Sequence, residues 1–127
     1  MAVLGDLYKT EVFELTRWYN KKHKKKLIPA AILEREPSAE LKPDQKDSDV
    51  LPPYEILDVI LESYIEKGLP ASKINVPGVS AATVRQVLNM LDKAEFKRAQ
   101  APPVIRVSDR GFGFGWRRPL GGNNTSF

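Results

Sequence analysis

The feature that most restricts the fold of this chain is a polar stretch from residue 35 to residue 54. Four prolines interrupt it, Pro37, Pro43, Pro52 and Pro53, and they exclude a long helix or a central strand. Segments with periodic apolar residues flank it on both sides, so the sequence predicts a long loop held by a scaffold. Loops of more than about a dozen residues are usually lids, binding loops or disordered linkers, and the sequence leaves these alternatives open.

The flanking segments have the apolar spacing of helices. The sequence predicts four of them: one over residues 9–20, a short one over 30–34, one between the Pro52-Pro53 pair and Gly68, and one after Ser80 that closes at Lys97-Arg98. Residues 104–107 form a short extended run. We therefore expect a mainly α chain of three to four helices, with a long loop and a short extended C-terminal run. Several apolar faces are wide for so small a core, which suggests a partner surface.

Composition narrows the class of protein. With 127 residues, 42% hydrophobic and 28% charged, the chain has room for one ordinary globular domain. The absence of cysteine excludes disulfides and thiolate chemistry, and a lone histidine, His23, argues against a His-based zinc site. No run of about 18 apolar residues and no signal peptide are visible, so we expect neither a membrane span nor export.

Two features could indicate nucleic-acid binding, and both are weak. Much of the net charge of +4 lies in one basic run at residues 21–26, which is more typical of a solvated helix end. Residues 110–114, Arg-Gly-Phe-Gly-Phe, match the start of an RNA-recognition signature. The match fails at Gly115, where valine is expected, and too little chain follows to complete that module.

Two further sets of residues are candidates for chemistry: the acidic residues around the long loop, and residues of the types that bind phosphate. The carboxylates in the loop and just before it are either Mg²⁺ ligands or, as we favour, part of a charge-balanced segment: Glu34, Glu36, Glu40, Asp44, Asp47 and Asp49. Candidate phosphate donors are Lys9 with Thr10 at the start of the first helix, Ser38 after Pro37, and Lys97-Arg98.

Four blocks in this order resemble the C-terminal part of NAD synthetase, especially the glutamine-dependent kind. They are GDLYKTEVFEL at 5–15, REPSAEL at 35–41, QKDSD at 45–49 with LPPYEILD at 51–58, and EFKR at 95–98 with QAPP at 100–103. The similarity runs from about residue 4 to residue 119. It implies that residues 1–119 are the C-terminal segment of a doubly wound, Rossmann-like α/β domain of the adenine-nucleotide-hydrolase type. Residues 35–51 would then be a substrate-covering loop, and residues 120–127 a flexible tail.

The resemblance also implies an activity, the ATP-dependent amidation of deamido-NAD to NAD through an acyl-adenylate. In the family, ATP and Mg²⁺ serve as co-substrate and metal. Lys9 and Ser38 match positions that contact ATP phosphates, and Lys97 matches a lysine that faces deamido-NAD. Phe96 stands where some relatives carry histidine. No catalytic residue and no metal ligand are assigned to this chain.

The departures from the family pattern are as informative as the matches. The Ser-Gly-Gly-x-Asp-Ser type pyrophosphate loop is absent, and so is the cysteine that a glutaminase domain needs. We therefore expect the chain to be inactive alone, to hold no cofactor by itself, and to require an upstream synthetase portion that carries the pyrophosphate loop. The resemblance further implies a cytoplasmic protein, a possible homodimer, and no nucleic-acid or membrane partner. The alternative is a non-catalytic nucleotide-binding or protein-interaction module derived from the synthetase.

Overall fold

The computed structural model describes residues 1–24, 26–34, 51–113 and 115–116. These residues form five α-helices: α1 (Lys9–Lys22), α2 (Ala30–Glu34), α3 (Tyr54–Ile65), α4 (Ala81–Lys93) and α5 (Glu95–Gln100). A 3₁₀ turn, Ala71–Lys73, lies between α3 and α4. Within the described residues, β structure is limited to one isolated parallel bridge between Ala2 and Val104. No helix in this part of the chain is long and apolar enough to cross a membrane.

The predicted helices are present, with two differences in their bounds. Helix α1 runs two residues further than expected, to Lys22. The predicted fourth helix is divided at Ala94, so that Lys97 and Arg98 belong to the separate helix α5. Ala94 has φ −88° and ψ 0°, a bridge conformation that ends the regular helix and redirects the chain. The long loop lies outside the described residues except for residues 51–54 at its C-terminal end, and Ser38 and the tail at 120–127 also lie outside them.

The core lies between α3, α4 and the segment that joins them. Ile60 of α3 and Leu88 of α4 are both completely buried, and Val84 and Val87 pack beside them. Ile74 and Val76 of the connecting segment close one side of this cluster. Such burial provides most of the stabilisation of a small helical unit, at about 25 cal/mol per Å² of apolar surface.

Two local signals set the ends of these core helices. The Ser80 hydroxyl accepts a hydrogen bond from the backbone N–H of Thr83 at 3.1 Å, which confirms Ser80 as the N-cap of α4. Gly68 follows α3 with φ +65°, a left-handed conformation that glycine adopts without strain. The chain can therefore reverse after α3 and bring α4 back onto it.

We predict that Leu88→Ala lowers the free energy of unfolding by about 3 kcal/mol, because it leaves a cavity in the core. Leu15→Ala is the matched control, since that side chain on α1 is exposed and should cost well under about 1 kcal/mol. Urea unfolding followed by far-UV circular dichroism measures both. Equal losses for the two variants would contradict a core centred on α3 and α4.

Candidate functional site

Asp6 joins the two ends of the described chain. One oxygen of its buried carboxylate accepts hydrogen bonds from the backbone N–H of Val107 at 2.7 Å and from the N–H and hydroxyl of Ser108 at 2.8 and 2.9 Å. The other oxygen accepts from the backbone N–H of Phe112. One side chain thus fixes a loop that is remote from it in sequence.

These donors also determine the ionisation of Asp6. Burial by itself raises the pKa of a carboxyl group, because the charged form loses solvation. The hydrogen bonds from Ser108, Phe112 and Val107 outweigh burial and lower the pKa of Asp6 below its ordinary value. Asp6 is therefore a carboxylate at neutral pH and accepts all four bonds as charge-assisted ones.

The same loop is held from its other side by Arg98 of α5. The Arg98 guanidinium forms a bidentate ion pair with the buried carboxylate of Glu95, one turn earlier. It also donates to the carbonyl oxygens of Phe112 and Gly113, at 2.9 and 2.6 Å. The hydrogen bond to Glu95 raises the pKa of Arg98, although burial opposes it. A guanidinium with all of these partners is a structural clamp and is not available as a free phosphate donor.

A small apolar cavity lies beside this clamp. It has a volume of about 230 Å³ and is lined by Ile65, Leu91, Ala94, Glu95, Lys97, Arg98, Phe112 and Trp116. The Trp116 ring is 6.0 Å from the Arg98 guanidinium and makes an edge contact with Tyr64. Lys97 is exposed at this cavity. The cavity therefore combines an apolar, aromatic wall with one solvent-facing ammonium group, a combination suited to a flat ligand that carries negative charge.

Lys9 occupies a different place, at the first residue of α1. Its ammonium nitrogen lies 5.2 Å from the ring centre of Phe13 and 6.0 Å from that of Tyr54. Tyr54 is the first residue of α3, directly after the long loop returns to the described chain. The structure thus brings Lys9 to the C-terminal end of the loop that carries Ser38.

Two backbone N–H groups at the start of α1 already have carboxylate acceptors. The backbone N–H of Thr10 donates to the Asp58 carboxylate at 2.8 Å, and that of Tyr8 donates to Glu11 at 2.8 Å. A cleft of about 210 Å³ alongside is lined by Glu11, Glu55, Asp58, Glu62 and Glu66 together with Tyr8. Burial, a hydrogen bond with Glu66 and the nearby negative charges raise the pKa of Tyr8. A bare phosphate in this cleft would meet like charge, so any anion held by Lys9 must approach from another side.

Sequence reasoning named Lys9, Lys97 and Arg98 as candidate phosphate donors, but it gave Arg98 no structural role and missed Asp6, the other residue that holds the loop beside Lys97. Asp6 gave no signal, because its partners are remote in sequence. For Arg98 the sequence did contain a signal of an ion pair, since Glu95 and Arg98 are three residues apart on a helix, where opposite charges pair. The glycine-rich segment near Phe112 forms turns held by Asp6 in the described residues, not an RNA-binding strand. Across the described part of the chain, no group of three or more acidic or histidine side chains is arranged to hold a metal ion.

The described residues form a helical unit that has no sheet of its own and a candidate ligand cavity on one side. Such a unit is typical of a segment of a larger α/β domain. A sequence model of the NAD synthase family matches residues 1–101. The chain belongs to the NAD synthase family. This confirms the resemblance stated above.

The relatives agree with this assignment. The chain is 46% identical to the glutamine-dependent NAD(+) synthetase of Thermotoga maritima over 119 residues, which are 94% of this chain and 21% of the relative. It is 45% identical to that of Synechocystis sp. over 120 residues, again 94% of this chain and 21% of the relative. The chain thus spans about a fifth of the length of these curated relatives.

A solved structure shows the same relationship. The glutamine-dependent NAD+ synthetase from Acinetobacter baumannii, in complex with adenosine diphosphate, is similar with a TM-score of 0.52 and 32% identity. The similarity covers 90% of this chain and 19% of that one. The expected fold class, a mainly helical chain that forms part of a larger α/β domain in its family, is confirmed.

We predict that Asp6→Asn lowers the free energy of unfolding by about 1–3 kcal/mol at neutral pH, because the amide places an NH₂ group opposite N–H donors and removes the charge of the acceptor.

The effect should depend on pH. The folded pKa of Asp6 lies below the unfolded one, so the stabilisation that the Asp6 carboxylate provides is complete above the unfolded pKa and is lost as pH falls through the folded pKa. The gap between the variant and the unmodified chain should therefore narrow in acid. Asp109→Asn, at an exposed position, is the control. Urea unfolding at a series of pH values measures the gap, and one that is absent, or that grows in acid, would contradict this role of Asp6.

Proposed function

We propose that this chain supplies the C-terminal helices of an NAD synthetase domain and takes part in the ATP-dependent amidation of deamido-NAD to NAD. The observation that carries the proposal is identity of about 45% to glutamine-dependent NAD(+) synthetases over 94% of the chain. Because the chain spans about a fifth of those relatives, we also propose that it is inactive without the rest of the domain.

The reaction requires negative charge to be held during an adenylyl transfer and the acyl transfer that follows. The nicotinate carboxylate of deamido-NAD attacks the α-phosphorus of ATP, and pyrophosphate leaves with the electrons of the broken P–O bond. Ammonia then attacks the acyl carbon of the adenylate, loses a proton, and AMP leaves as the amide forms. Positive groups that meet the phosphates lower the barrier of the first step, and exclusion of water protects the adenylate from hydrolysis.

We assign the phosphates of ATP to Lys9, with Ser38 of the long loop as the second donor. The contact between Lys9 and Tyr54 supports this assignment of Lys9. It puts the Lys9 ammonium group beside the first residue of α3, where the long loop ends. We propose residues 35–51 as the substrate-covering loop, in which Ser38 would donate to the same phosphates and water would be excluded. Ser38 itself lies outside the described residues.

We assign deamido-NAD to Lys97 and the apolar cavity beside it. The aromatic side chains of Phe112 and Trp116 offer a surface for a flat ring, and Lys97 offers a positive charge for an anionic group. Arg98 and Glu95 hold this wall in place. The family resemblance implies that ATP acts together with Mg²⁺. We assign this ion no ligand among the described residues.

The test is NAD formation from deamido-NAD, Mg-ATP and ammonia. The chain is assayed alone and with a polypeptide comprising the portion of the Thermotoga maritima relative outside the matched residues. We expect NAD only from the mixture. No NAD from either would refute the proposed activity and favour a non-catalytic module derived from the synthetase.

We predict that Lys9→Ala lowers kcat of the active mixture by about 100-fold, because one preorganised positive donor to the transferring phosphate is lost. Lys73→Ala is the matched control, an exposed lysine of the 3₁₀ turn away from both sites. Steady-state rates at saturating substrate give kcat for each variant. A kcat for Lys9→Ala equal to that of the control would remove Lys9 from the site.

We predict a different pattern for Lys97→Ala, namely a KM for deamido-NAD that rises about tenfold with a smaller change in kcat. The reason is that we assign Lys97 to the binding of deamido-NAD and not to the transferring phosphate, so its loss weakens the ground state and the transition state alike. Variation of deamido-NAD at saturating ATP measures it, and the KM for ATP serves as the internal control. An increase only in the KM for ATP would assign Lys97 to the other substrate.

A further inference from the structure

The end of α1 and the start of α2 expose five large apolar side chains, and we call this surface the α1–α2 corner. Its members are 39–62% exposed: Leu15, Trp18, Tyr19, Leu27 and Ile32. No residue of α1 or of α2 is buried. Leu15, Trp18 and Tyr19 have the i, i+3, i+4 spacing that puts side chains on one face of a helix. Several large apolar side chains exposed together on neighbouring segments mark a site of association.

The side chains of the corner are only partly covered within the described chain, where the Tyr19 ring contacts that of His23. Two contacts tie the first turn of α1 to α3: Thr10 bonds to Asp58, and Lys9 meets Tyr54. The half of the helix that carries Trp18 and Tyr19 extends beyond this contact. Its apolar face therefore remains available to a partner.

The corner is also preformed. The Asn20 side chain donates to the carbonyl oxygen of Ile28 at 2.9 Å and accepts from the N–H of Ile28 at 3.0 Å. This pair of bonds holds the connection against the end of α1. The backbone N–H of Ile32 donates to the carbonyl oxygen of Pro29 at 3.1 Å and continues the same turn. A surface that is ordered before association loses little entropy when it binds.

Basic side chains border the corner and restrict what can cover it. Lys22 lies over the Trp18 ring, with the lysine ammonium nitrogen 4.6 Å from the ring centre. Lys21 and Lys24 are near Lys22 in the sequence and are also exposed. In a symmetric dimer the same patch meets itself, so both sides of the interface would carry these lysines. Like charges at an interface oppose association, whereas an apolar surface edged with carboxylates would complement the corner.

We propose that the α1–α2 corner docks the remaining portion of the NAD synthetase domain, through an apolar surface edged with acidic residues. The inference rests on the proposed function. About four-fifths of the length of the relatives lies outside the region that this chain matches, which provides a partner of sufficient size. The corner is where a helical unit would attach to that portion, since it is apolar, ordered and unused by the described core.

Binding is measured by isothermal titration calorimetry between this chain and the portion of the Thermotoga maritima relative outside the matched residues, without substrates. We expect Trp18→Ser and Ile32→Ser each to raise Kd by about tenfold or more, as truncation of central interface residues does. Ile105→Ser is the matched control, because that side chain is also apolar and exposed but lies outside the corner. Its Kd should stay within about twofold of the unmodified chain.

Three results would overturn the docking surface: no binding by the unmodified chain, equal binding by all variants, or self-association of the chain that Trp18→Ser abolishes. Far-UV circular dichroism of each variant verifies that the helices are retained, and Ile32→Ser provides a second variant on a different helix. A complex that depends on the corner but makes no NAD would refute the proposed function alone. A complex that makes NAD and ignores the corner variants would refute the docking surface alone.

Discussion

The carboxylate of Asp6 is the interaction on which the rest of the site depends. It gathers donors from Val107, Ser108 and Phe112, and the neighbouring bridge between Ala2 and Val104 adds a second link between the same two segments. Hydrogen bonds to a buried charge are stronger than neutral ones, because the full charge of the acceptor attracts the donor hydrogen and is little screened by solvent. Without this carboxylate, the segment after α5 would lose its main attachment to the start of α1.

Asp6 and Arg98 hold the same loop through groups of opposite charge. Asp6 accepts from its N–H groups, whereas Arg98 donates to its carbonyl oxygens at Phe112 and Gly113. Between them they satisfy backbone groups of a segment that has no regular secondary structure, as buried backbone requires. The loop can therefore form one wall of the cavity at Lys97, although it contributes no helix or strand among the described residues.

The sequence was a sufficient guide wherever local chemistry decides the structure. Ser80 and the stripe of valines and leucines after it predict helix α4. Gly68 predicts the end of α3, and the structure shows it in a left-handed conformation. The division of the last helix at Ala94 was not predictable, since nothing about alanine disfavours a helix. The role of Asp6 was beyond reach for another reason: its partners are remote in the chain, and periodicity reports only neighbours. Lys9 and Lys97 entered as candidates through residue type and family resemblance, and their roles remain predictions.

Buried apolar residues are distributed unevenly among the described helices. In the part of the chain that the structure describes, the buried hydrophobic core belongs to α3, α4 and the segment between them, while α1 and α2 bury none of their residues. A helix is stabilised in water mainly by packing of its apolar face, because propensity alone is marginal at this length. Helix α1 meets α3 at its first turn and has an unused apolar face beyond it. Lys9 lies on the same helix whose apolar face we propose for docking, so docking and the position of Lys9 should be linked through α1.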